Sequence, residues 1–272
     1  MTVTETPVAL QARRSYDRKV SPLVRRQKHN DRALIGNSFG LPAGKSCPGR
    51  TPFCDGCYAE KLEKAYTSTA VALERNWQAL QACGEDVTVI RELLSELIID
   101  FADEVRKRIK KGQATSADLV FRPHWDGDFY SASYTAAWGA IVRAFPQIQF
   151  WIYTRSFDYV PILADGQAPN LALYLSVDER NIGRAGQLLE RYPRLLAAYC
   201  ATTQHAASAL AKSLGRVSTP CPENIQRIPL VMPLNGRRLS PIEVGQDAQG
   251  ACISCGLCVY GLKDVGFSTT NR

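Results

Sequence analysis

The hydrophobic residues outside a central helical region fall into short runs that alternate with helical segments. The runs are apolar at successive positions, which is typical of strands buried on both faces of a parallel sheet. Strands are predicted at residues 32–39, 118–123, 147–154, 171–177, 195–202 and 228–232, and helices at residues 131–145, 157–164, 182–192 and 206–214. About six strand–helix units in roughly 200 residues favour an α/β fold with an open or partial barrel over a closed eight-unit barrel.

A helical pair is inserted between the first and second predicted strands. Residues 58–82 are rich in Ala, Leu, Glu and Lys, and residues 87–111 place apolar side chains on one helical face. The second helix ends in a basic turn before Gly112, as expected at a helix C-terminus. The chain is therefore predicted to have three parts, namely a basic flexible arm (1–30), a partial barrel core (31–234) and a cysteine-rich C-terminal extension (235–272).

The composition is that of a folded chain. The 272 residues are 45% apolar and 22% charged, enough to bury the core of one large or two small domains. No apolar stretch approaches the roughly 18 residues that a membrane span requires. The N-terminal residues also lack the basic and apolar regions of a signal peptide. We therefore expect a soluble, cytoplasmic protein with no membrane partner.

The net charge of +7 comes mainly from the arm. Residues 1–30 hold seven Lys and Arg against Glu5 and Asp17, which leaves 26 basic and 24 acidic residues in the rest of the chain. Such a near-neutral body is unlike a DNA-binding domain that covers one face with positive charge. The arm either makes sequence-independent phosphate contacts with a nucleic acid or is a solvated tail.

Nine cysteines against three histidines are the strongest chemical signal. A chain that is not exported has little use for disulfides, so metal-binding thiolates are the first hypothesis. Cys47, Cys54 and Cys57 share a Gly- and Pro-rich loop between the first strand and the first helix. Three such thiolates hold three irons of a four-iron cluster and leave the fourth iron open, or they fill three positions of a zinc site. Cys83 and Cys200 stand alone in apolar surroundings and are expected to be core thiols.

A second cysteine group lies near the C-terminus. Cys252, Cys255 and Cys258 have the C-x₂-C-x₂-C spacing of bacterial ferredoxins, whose pattern continues with a fourth cysteine followed by proline. The chain contains such a pair at Cys221 and Pro222, and we predict that Cys221 folds back to complete this site. The spacing alone leaves iron–sulfur and zinc both open.

Polar side chains follow three of the predicted strands, at the edge where parallel sheets bind their ligands. After the second strand, residues 124–129 (HWDGDF) combine a histidine, a tryptophan and two aspartates around a glycine. Arg155 follows the third strand and suits a carboxylate ligand. Ser176 and Asp178 end the fourth strand and suit a ribose. The alternative is that these residues form only a tight turn and helix caps.

These motifs resemble known ones. The three-cysteine loop after the first strand, the aromatic residue after its third cysteine and the Gly/acidic turn resemble the radical S-adenosylmethionine (radical SAM) superfamily. Most of residues 33–268, including NSFGLPAGKSCPGRTPFCDGCYAEK, FRPHWDGDF and CISCGLC, more closely resembles the actinobacteriophage gene product eighty-eight family. The loop has C-x₆-C-x₂-C spacing, whereas C-x₃-C-x₂-C is common in the superfamily.

The resemblance implies a fold, a cluster and a cofactor. The fold would be a partial (βα)₆ barrel of the radical SAM type, with a [4Fe-4S] cluster on the first three cysteines. S-adenosylmethionine would chelate the open iron through its amino and carboxylate groups. By the same analogy, the Asp126-Gly127-Asp128 turn would contact the amino group of the cofactor. Tyr58 would lie against its adenine, and Ser176 or Asp178 would approach its ribose.

The leading hypothesis is therefore an enzyme that cleaves S-adenosylmethionine to a 5′-deoxyadenosyl radical, with electrons from a donor such as flavodoxin or ferredoxin. The radical would act on a small molecule, nucleotide or DNA base bound near His124 and Arg155, the two predicted catalytic residues. A second iron–sulfur cluster would relay electrons or ligate substrate, whereas zinc would pin the C-terminal tail. The alternative is a non-enzymatic, zinc-stabilised module that binds nucleic acid or a host protein. If the chain is encoded by a phage, its location would be the host cytoplasm.

Overall fold

The computed structural model describes residues 11–17, 19–23, 33–233 and 248–270. The strands in these ranges are β1 (Pro22–Leu23), β2 (Ala33–Leu34), β3 (Val120–Phe121), β4 (Gln149–Thr154), β5 (Leu171–Val177), β6 (Leu196–Ala201), β7 (Thr219–Pro220), β8 (Val231–Pro233), β9 (Ala248–Gly250) and β10 (Val265–Ser268). Six of them form one parallel sheet in the order β3-β4-β5-β6-β10-β7. The predicted α/β class with a parallel sheet is confirmed.

Helices cover the sheet and form the predicted insertion. They are α1 (Tyr58–Ala65), α2 (Thr67–Ala82), α3 (Val87–Lys110), α4 (Ala132–Ala144), α5 (Val160–Ala164), α6 (Ile182–Arg191), α7 (Gln204–Ser213) and α8 (Ala251–Cys255). The predicted helix over residues 58–82 is broken at Tyr66 into α1 and α2. No helix in the described part of the chain is long and apolar enough to cross a membrane.

The longest helix, α3, follows directly from its sequence. The Asp86 side chain accepts hydrogen bonds from the backbone N–H groups of Thr88 (2.8 Å) and Val89 (3.2 Å), which caps the helix start. Apolar residues at helical spacing form its buried face, and the ring of Phe101 lies 5.2 Å from that of Phe121 on β3. This contact joins the inserted helices to the core of the sheet.

The chain segment before the cysteine loop adds a further, irregular strand beside β3. The Arg122 N–H donates to the Asn37 carbonyl (2.9 Å), and the Phe39 N–H donates to the Arg122 carbonyl (3.0 Å). Ser38 forms a parallel bridge with Arg122. The predicted first strand therefore runs in the same direction as the sheet, and the loop that follows Phe39 begins at the sheet's carboxyl edge.

The sheet is strongly curved. Tyr153 on β4 and Phe267 on β10 meet edge to face with ring centroids 6.2 Å apart, although β5 and β6 lie between their strands. In a flat sheet, strands three places apart would be separated by about 14 Å. Tyr174 on β5 lies beside Tyr153 at 5.3 Å. These three rings mark the concave face of the sheet.

The last strand of the sheet differs from the prediction. The apolar run at residues 228–232 does not enter the sheet, because β8, which overlaps it, pairs antiparallel with β9. The corresponding place is taken by β10, which lies between β6 and β7. Apolar content alone does not distinguish a sheet strand from a small hairpin, and the sequence VGFS of β10 is short and contains a glycine. The predicted extension (235–272) thus supplies a strand of the main sheet.

Part of the predicted arm packs against the core. The Ser15 N–H donates to the Ser38 carbonyl (2.7 Å), Val20 is fully buried, and Arg14 pairs with Glu104 at 2.8 Å. The basic residues Arg18, Arg25, Arg26 and Lys28 lie outside the described residues. Phosphate binding by the arm and the three-part division of the chain stay predictions.

Candidate metal and cofactor site

The first cysteine loop lies over the carboxyl edge of the sheet. The Leu41 N–H donates to the Asp126 carbonyl (3.0 Å) where the loop begins. Further along, Gly49 packs so closely on the backbone that a Cβ atom would overlap the Arg155 carbonyl oxygen. The Arg155 guanidinium in turn lies over the Phe53 ring, 5.3 Å from its centroid. The loop is therefore fixed to the ends of both β3 and β4.

The turn after β3 supports the start of this loop. Gly127 has a φ of +76°, and a Cβ atom there would lie 2.5 Å from the Ser46 hydroxyl and 2.8 Å from the Leu41 carbonyl oxygen. Both the conformation and the space require glycine. Since Cys47 follows Ser46, the Asp126-Gly127-Asp128 turn lies close to the first cysteine of the loop.

Asp128 joins the ends of two strands. Its carboxylate accepts hydrogen bonds from the Thr154 hydroxyl (2.6 Å) and from the Arg155 N–H (2.7 Å) at the end of β4. It also accepts from the N–H of Phe129 (2.8 Å). Burial raises the pKa of Asp128, and these hydrogen bonds oppose the rise. Asp128, which was predicted to bind the cofactor, therefore holds the end of β4 against the turn that follows β3.

Asp126 lies beside another acidic residue. Its Oδ1 accepts from the Gly127 N–H (2.8 Å), and its buried carboxyl group lies close to that of Glu63. Burial and the nearby Glu63 carboxylate raise its pKa well above the usual range of an aspartate. Burial also raises the pKa of the Cys47 thiol to about 12, with added effects of Asp128 and Asp126. Burial and the neighbouring acidic groups thus disfavour the charged forms of Asp126 and Cys47, and a cationic ligand would stabilise those forms.

Arg155 and Asp178 contact each other. Their side chains form an ion pair in which only 12% and 4% of the respective surfaces are exposed, and Asp178 Oδ2 also accepts from the Thr51 hydroxyl (2.6 Å). Thr51 belongs to the cysteine loop, so this triad ties the loop to the ends of β4 and β5. The predicted roles of Arg155 toward substrate and of Asp178 toward ribose stay predictions, since both side chains are engaged here.

His124 is buried among aromatic rings. Its φ is +58°, its Nε2 lies 2.7 Å from the Tyr134 hydroxyl, and its ring meets the Phe129 ring edge to face at 4.5 Å. Its Nδ1 is buried and has no hydrogen-bond partner in the described ranges. Burial, together with the charge of Arg122, lowers the pKa of His124 to about 3. The imidazole is therefore neutral at physiological pH.

Two further predicted residues border the same edge. The Tyr58 hydroxyl donates to the Trp125 carbonyl (2.7 Å), and 39% of this tyrosine remains exposed directly after Cys57. Ser176 is half-buried, and its carbonyl accepts a hydrogen bond from the Asn181 side chain (3.0 Å). Tyr58 thus joins the cysteine loop to the turn, and its predicted contact with adenine stays a prediction.

The three loop thiols are half-buried. The Arg50 guanidinium donates to the Cys54 carbonyl (3.3 Å) and pairs with Glu60 beside them. Within the described ranges, no three His, Cys, Asp or Glu side chains are arranged to hold a single metal ion. A four-iron cluster places each thiolate on a different iron, so its ligands do not converge on one point.

The second cysteine group reaches the concave face of the sheet. Burial raises the pKa of the Cys258 thiol to about 12. The Tyr153 hydroxyl opposes this rise, and the nearby thiols of Cys221 and Cys255 add to it. Burial likewise raises the pKa of Cys252, and the positive charge of Arg122 opposes this rise. Cys221 is thus near enough to affect the pKa of Cys258, and its predicted role in completing this site stays a prediction.

The sequence comparisons define the family. The profile of the family described as Gene product 88 matches residues 10–261. The chain belongs to the Gene product 88 family. Two Gene 88 proteins, those of Mycobacterium phages L5 and D29, are each 38% identical to it, over 264 and 265 residues, which is 96% of this chain and 98% of each relative. No solved structure is significantly similar to the chain. The predicted phage family is confirmed, whereas the radical SAM resemblance stays a proposal.

Several residues of this Gene product 88 family member border the cysteines without having been predicted from sequence. Arg122 directly follows β3, but the predicted strand extended to residue 123, so the rule that located Arg155 after β4 missed it. Thr51 and Glu63 carry no such signal, because their partners Asp178 and Asp126 are distant in sequence. Cys83, by contrast, lies against the Ala79 carbonyl on α2 at 3.3 Å, consistent with a structural thiol.

Proposed function

We propose that this Gene product 88 family protein is a radical SAM-like enzyme. In this proposal, a four-iron cluster is bound by Cys47, Cys54 and Cys57, and S-adenosylmethionine binds at the carboxyl edge of the curved sheet. The observation that carries the proposal is the position of the Asp126-Gly127-Asp128 turn beside Cys47, with the carboxyl groups of Asp126 and Glu63 close to each other at the same corner. When bound, the cluster and cofactor supply one-electron cleavage of the sulfonium bond and hydrogen abstraction from a substrate.

The chemistry of the site suits these groups. Thiolates are soft ligands for iron, and three of them leave one iron free to chelate a ligand. S-adenosylmethionine carries a sulfonium and an ammonium group, and such a cation would stabilise the ionised form of Asp126, which burial and the nearby Glu63 otherwise disfavour. The partly exposed ring of Tyr58 borders the same space and offers a stacking surface for adenine. A curved parallel sheet is the framework expected of a partial barrel.

The protein's own residues have defined tasks in this proposal. Asp126 accepts a hydrogen bond from the ammonium group and orients it. The Arg155–Asp178–Thr51 triad and the Gly127–Ser46 contact hold the loop in register with the sheet. Because His124 is neutral, it borders the site as a fixed polar side chain and does not donate a proton. These residues orient the cofactor and exclude water, as cofactor enzymes require of their protein.

The remaining parts of the proposal concern substrate and electrons. The substrate is a small molecule, a nucleotide or a DNA base bound beside His124, Trp125 and Arg155. A flavodoxin- or ferredoxin-like donor supplies the electron. Basic residues near the N-terminus contact phosphate if the substrate is a nucleic acid.

The test combines metal analysis with a product assay. Anaerobically purified protein is analysed for iron, sulfide and zinc, and is then incubated with S-adenosylmethionine and dithionite while 5′-deoxyadenosine is measured. We expect the product from the wild-type protein and from Cys83→Ala, and none from Cys47→Ala, Cys54→Ala or Cys57→Ala. Zinc in the loop, or a loaded cluster that releases no 5′-deoxyadenosine, overturns the proposal and leaves the zinc-stabilised binding module in its place.

A further inference from the structure

The C-terminal cysteine group rests on the concave face of the sheet. The Gln149 side chain on β4 donates to the Val259 carbonyl (2.8 Å), and the Tyr174 hydroxyl on β5 donates to the Lys263 carbonyl (3.0 Å). The Tyr153 hydroxyl, on the same face, is near enough to the Cys258 thiol to affect its pKa. These contacts hold the segment that contains Cys252, Cys255 and Cys258 against β4 and β5.

Cys221 reaches this group from the other end of the sheet. It follows β7, and its N–H donates to the Gly266 carbonyl of β10 (2.9 Å). The next residue of β10, Phe267, contacts the ring of Tyr153, and the pKa of Cys258 is affected both by Tyr153 and by Cys221. The curvature of the sheet is therefore what brings a cysteine after β7 to a cysteine over β4.

We infer that a second iron–sulfur cluster is held on this face by four protein thiolates, those of Cys221, Cys252, Cys255 and Cys258. The triple spacing of two residues, with a remote fourth cysteine before a proline, is a ferredoxin pattern, whereas structural zinc sites are built mainly from separate pairs. Because all four irons have protein ligands, this cluster has no open position for a substrate. Its role is to store or relay one electron.

Two cations border Cys252. Arg122 is 8% exposed at the end of β3, where its guanidinium lies over the Tyr153 ring at 5.7 Å and pairs with Asp17 at 2.6 Å. The Lys19 carbonyl accepts from the Cys252 N–H (3.0 Å), and its ammonium pairs with Glu223 at 2.8 Å. A cubane cluster with four thiolate ligands has a net negative charge, and reduction adds one more negative charge to it. Nearby cations stabilise the reduced cluster and raise its reduction potential.

This inference does not depend on cofactor cleavage at the first site, so the two are tested separately. The first experiment uses the Cys47→Ala/Cys54→Ala/Cys57→Ala background, reconstituted anaerobically with ferrous iron and sulfide. We expect about four irons and as many sulfides per chain, with an electron paramagnetic resonance signal after dithionite. Adding Cys221→Ala removes or alters this signal, while adding Cys83→Ala leaves it intact. Bound zinc without sulfide, or an unchanged cluster in the Cys221→Ala protein, overturns the inference.

The second experiment keeps all nine cysteines and so does not depend on the folding of a triple variant. The midpoint potentials of the reconstituted protein are measured by spectroscopically monitored redox titration. Lys19→Met is expected to shift one potential to a more negative value. Lys107→Met, which removes an exposed cation from the last turn of α3, is the matched control and leaves that potential unchanged. Equal potentials in the two variants overturn the assignment of Lys19 to this cluster.

Discussion

Gly127 faces Ser46 at a distance that leaves no room for a side chain: a Cβ atom on Gly127 would lie 2.5 Å from the Ser46 hydroxyl. The two residues belong to the turn after β3 and to the loop of the first three cysteines. Their contact sets the height of Cys47 above the carboxyl edge of the sheet. Any residue larger than glycine must push the loop away from the turn.

The first prediction follows from this contact. Gly127→Ala is expected to lower the free energy of unfolding by about 1–2 kcal/mol for the left-handed backbone alone, and further because of the overlap with Ser46. It is also expected to reduce the iron bound by the first cysteine loop. Gly84→Ala is the matched control, since Gly84 has a φ of +60° but nothing within 4 Å of its Cβ position. Urea unfolding and iron analysis should show a larger loss for Gly127→Ala than for the control; equal losses would mean that the contact is unimportant.

The second prediction concerns the bonds of Thr154. Its hydroxyl donates to Asp128 (2.6 Å) and accepts from the Ser156 N–H (2.9 Å), and all three groups are buried. Thr154→Val keeps the shape but leaves these groups unpaired, which is expected to cost about 1–3 kcal/mol of unfolding free energy. Thr88→Val, at the exposed start of α3, should change stability by less than about 0.5 kcal/mol. A Thr154→Val protein as stable as this control would contradict the role given to Asp128.

A third prediction separates buried from exposed ion pairs. Asp178→Ala leaves the Arg155 guanidinium buried without its carboxylate, and the expected loss is about 3–5 kcal/mol. Asp103→Ala breaks an exposed pair with Arg106, whose side chains are more than half exposed, and should cost less than about 1 kcal/mol. Limited proteolysis should also cut the loop at residues 40–57 faster in Asp178→Ala. Unchanged proteolysis would show that the triad does not hold the loop.

The pH dependence of stability tests the environment of Asp126. Its folded-state pKa is raised, so the native state binds a proton more tightly than the unfolded chain. The resulting stabilisation is complete below the unfolded pKa of about 4 and is lost as the pH rises through the raised folded value. In metal-free protein, Asp126→Asn should therefore be more stable than the wild type at neutral pH. Urea titrations from pH 4 to 8 are expected to give a flatter profile for the variant, whereas parallel profiles would rule out the raised pKa.

How accurately the sequence predicts a strand depends on the length and continuity of its apolar run. The apolar run LALYLSV predicts β5 with both ends correct, because it is long, continuous and bounded by polar residues. The two-residue strand β7 and the sequence VGFS of β10 contain no comparable run, and their pairing is fixed only by the finished sheet. The strand-end rule likewise located Arg155 and Asp178. It did not indicate that they pair with each other, because that contact depends on how β4 and β5 align.

The place of β10 has a consequence for how the molecule is made. This strand separates β6 from β7 although it follows both along the chain. While the protein is being synthesised, β7 has no partner in the sheet until Val265–Ser268 has left the ribosome. Cys252, Cys255 and Cys258 precede β10 by only a few residues, so they are synthesised shortly before this strand. Completion of the sheet and assembly of any centre on that face therefore wait until residues 265–268 have been synthesised.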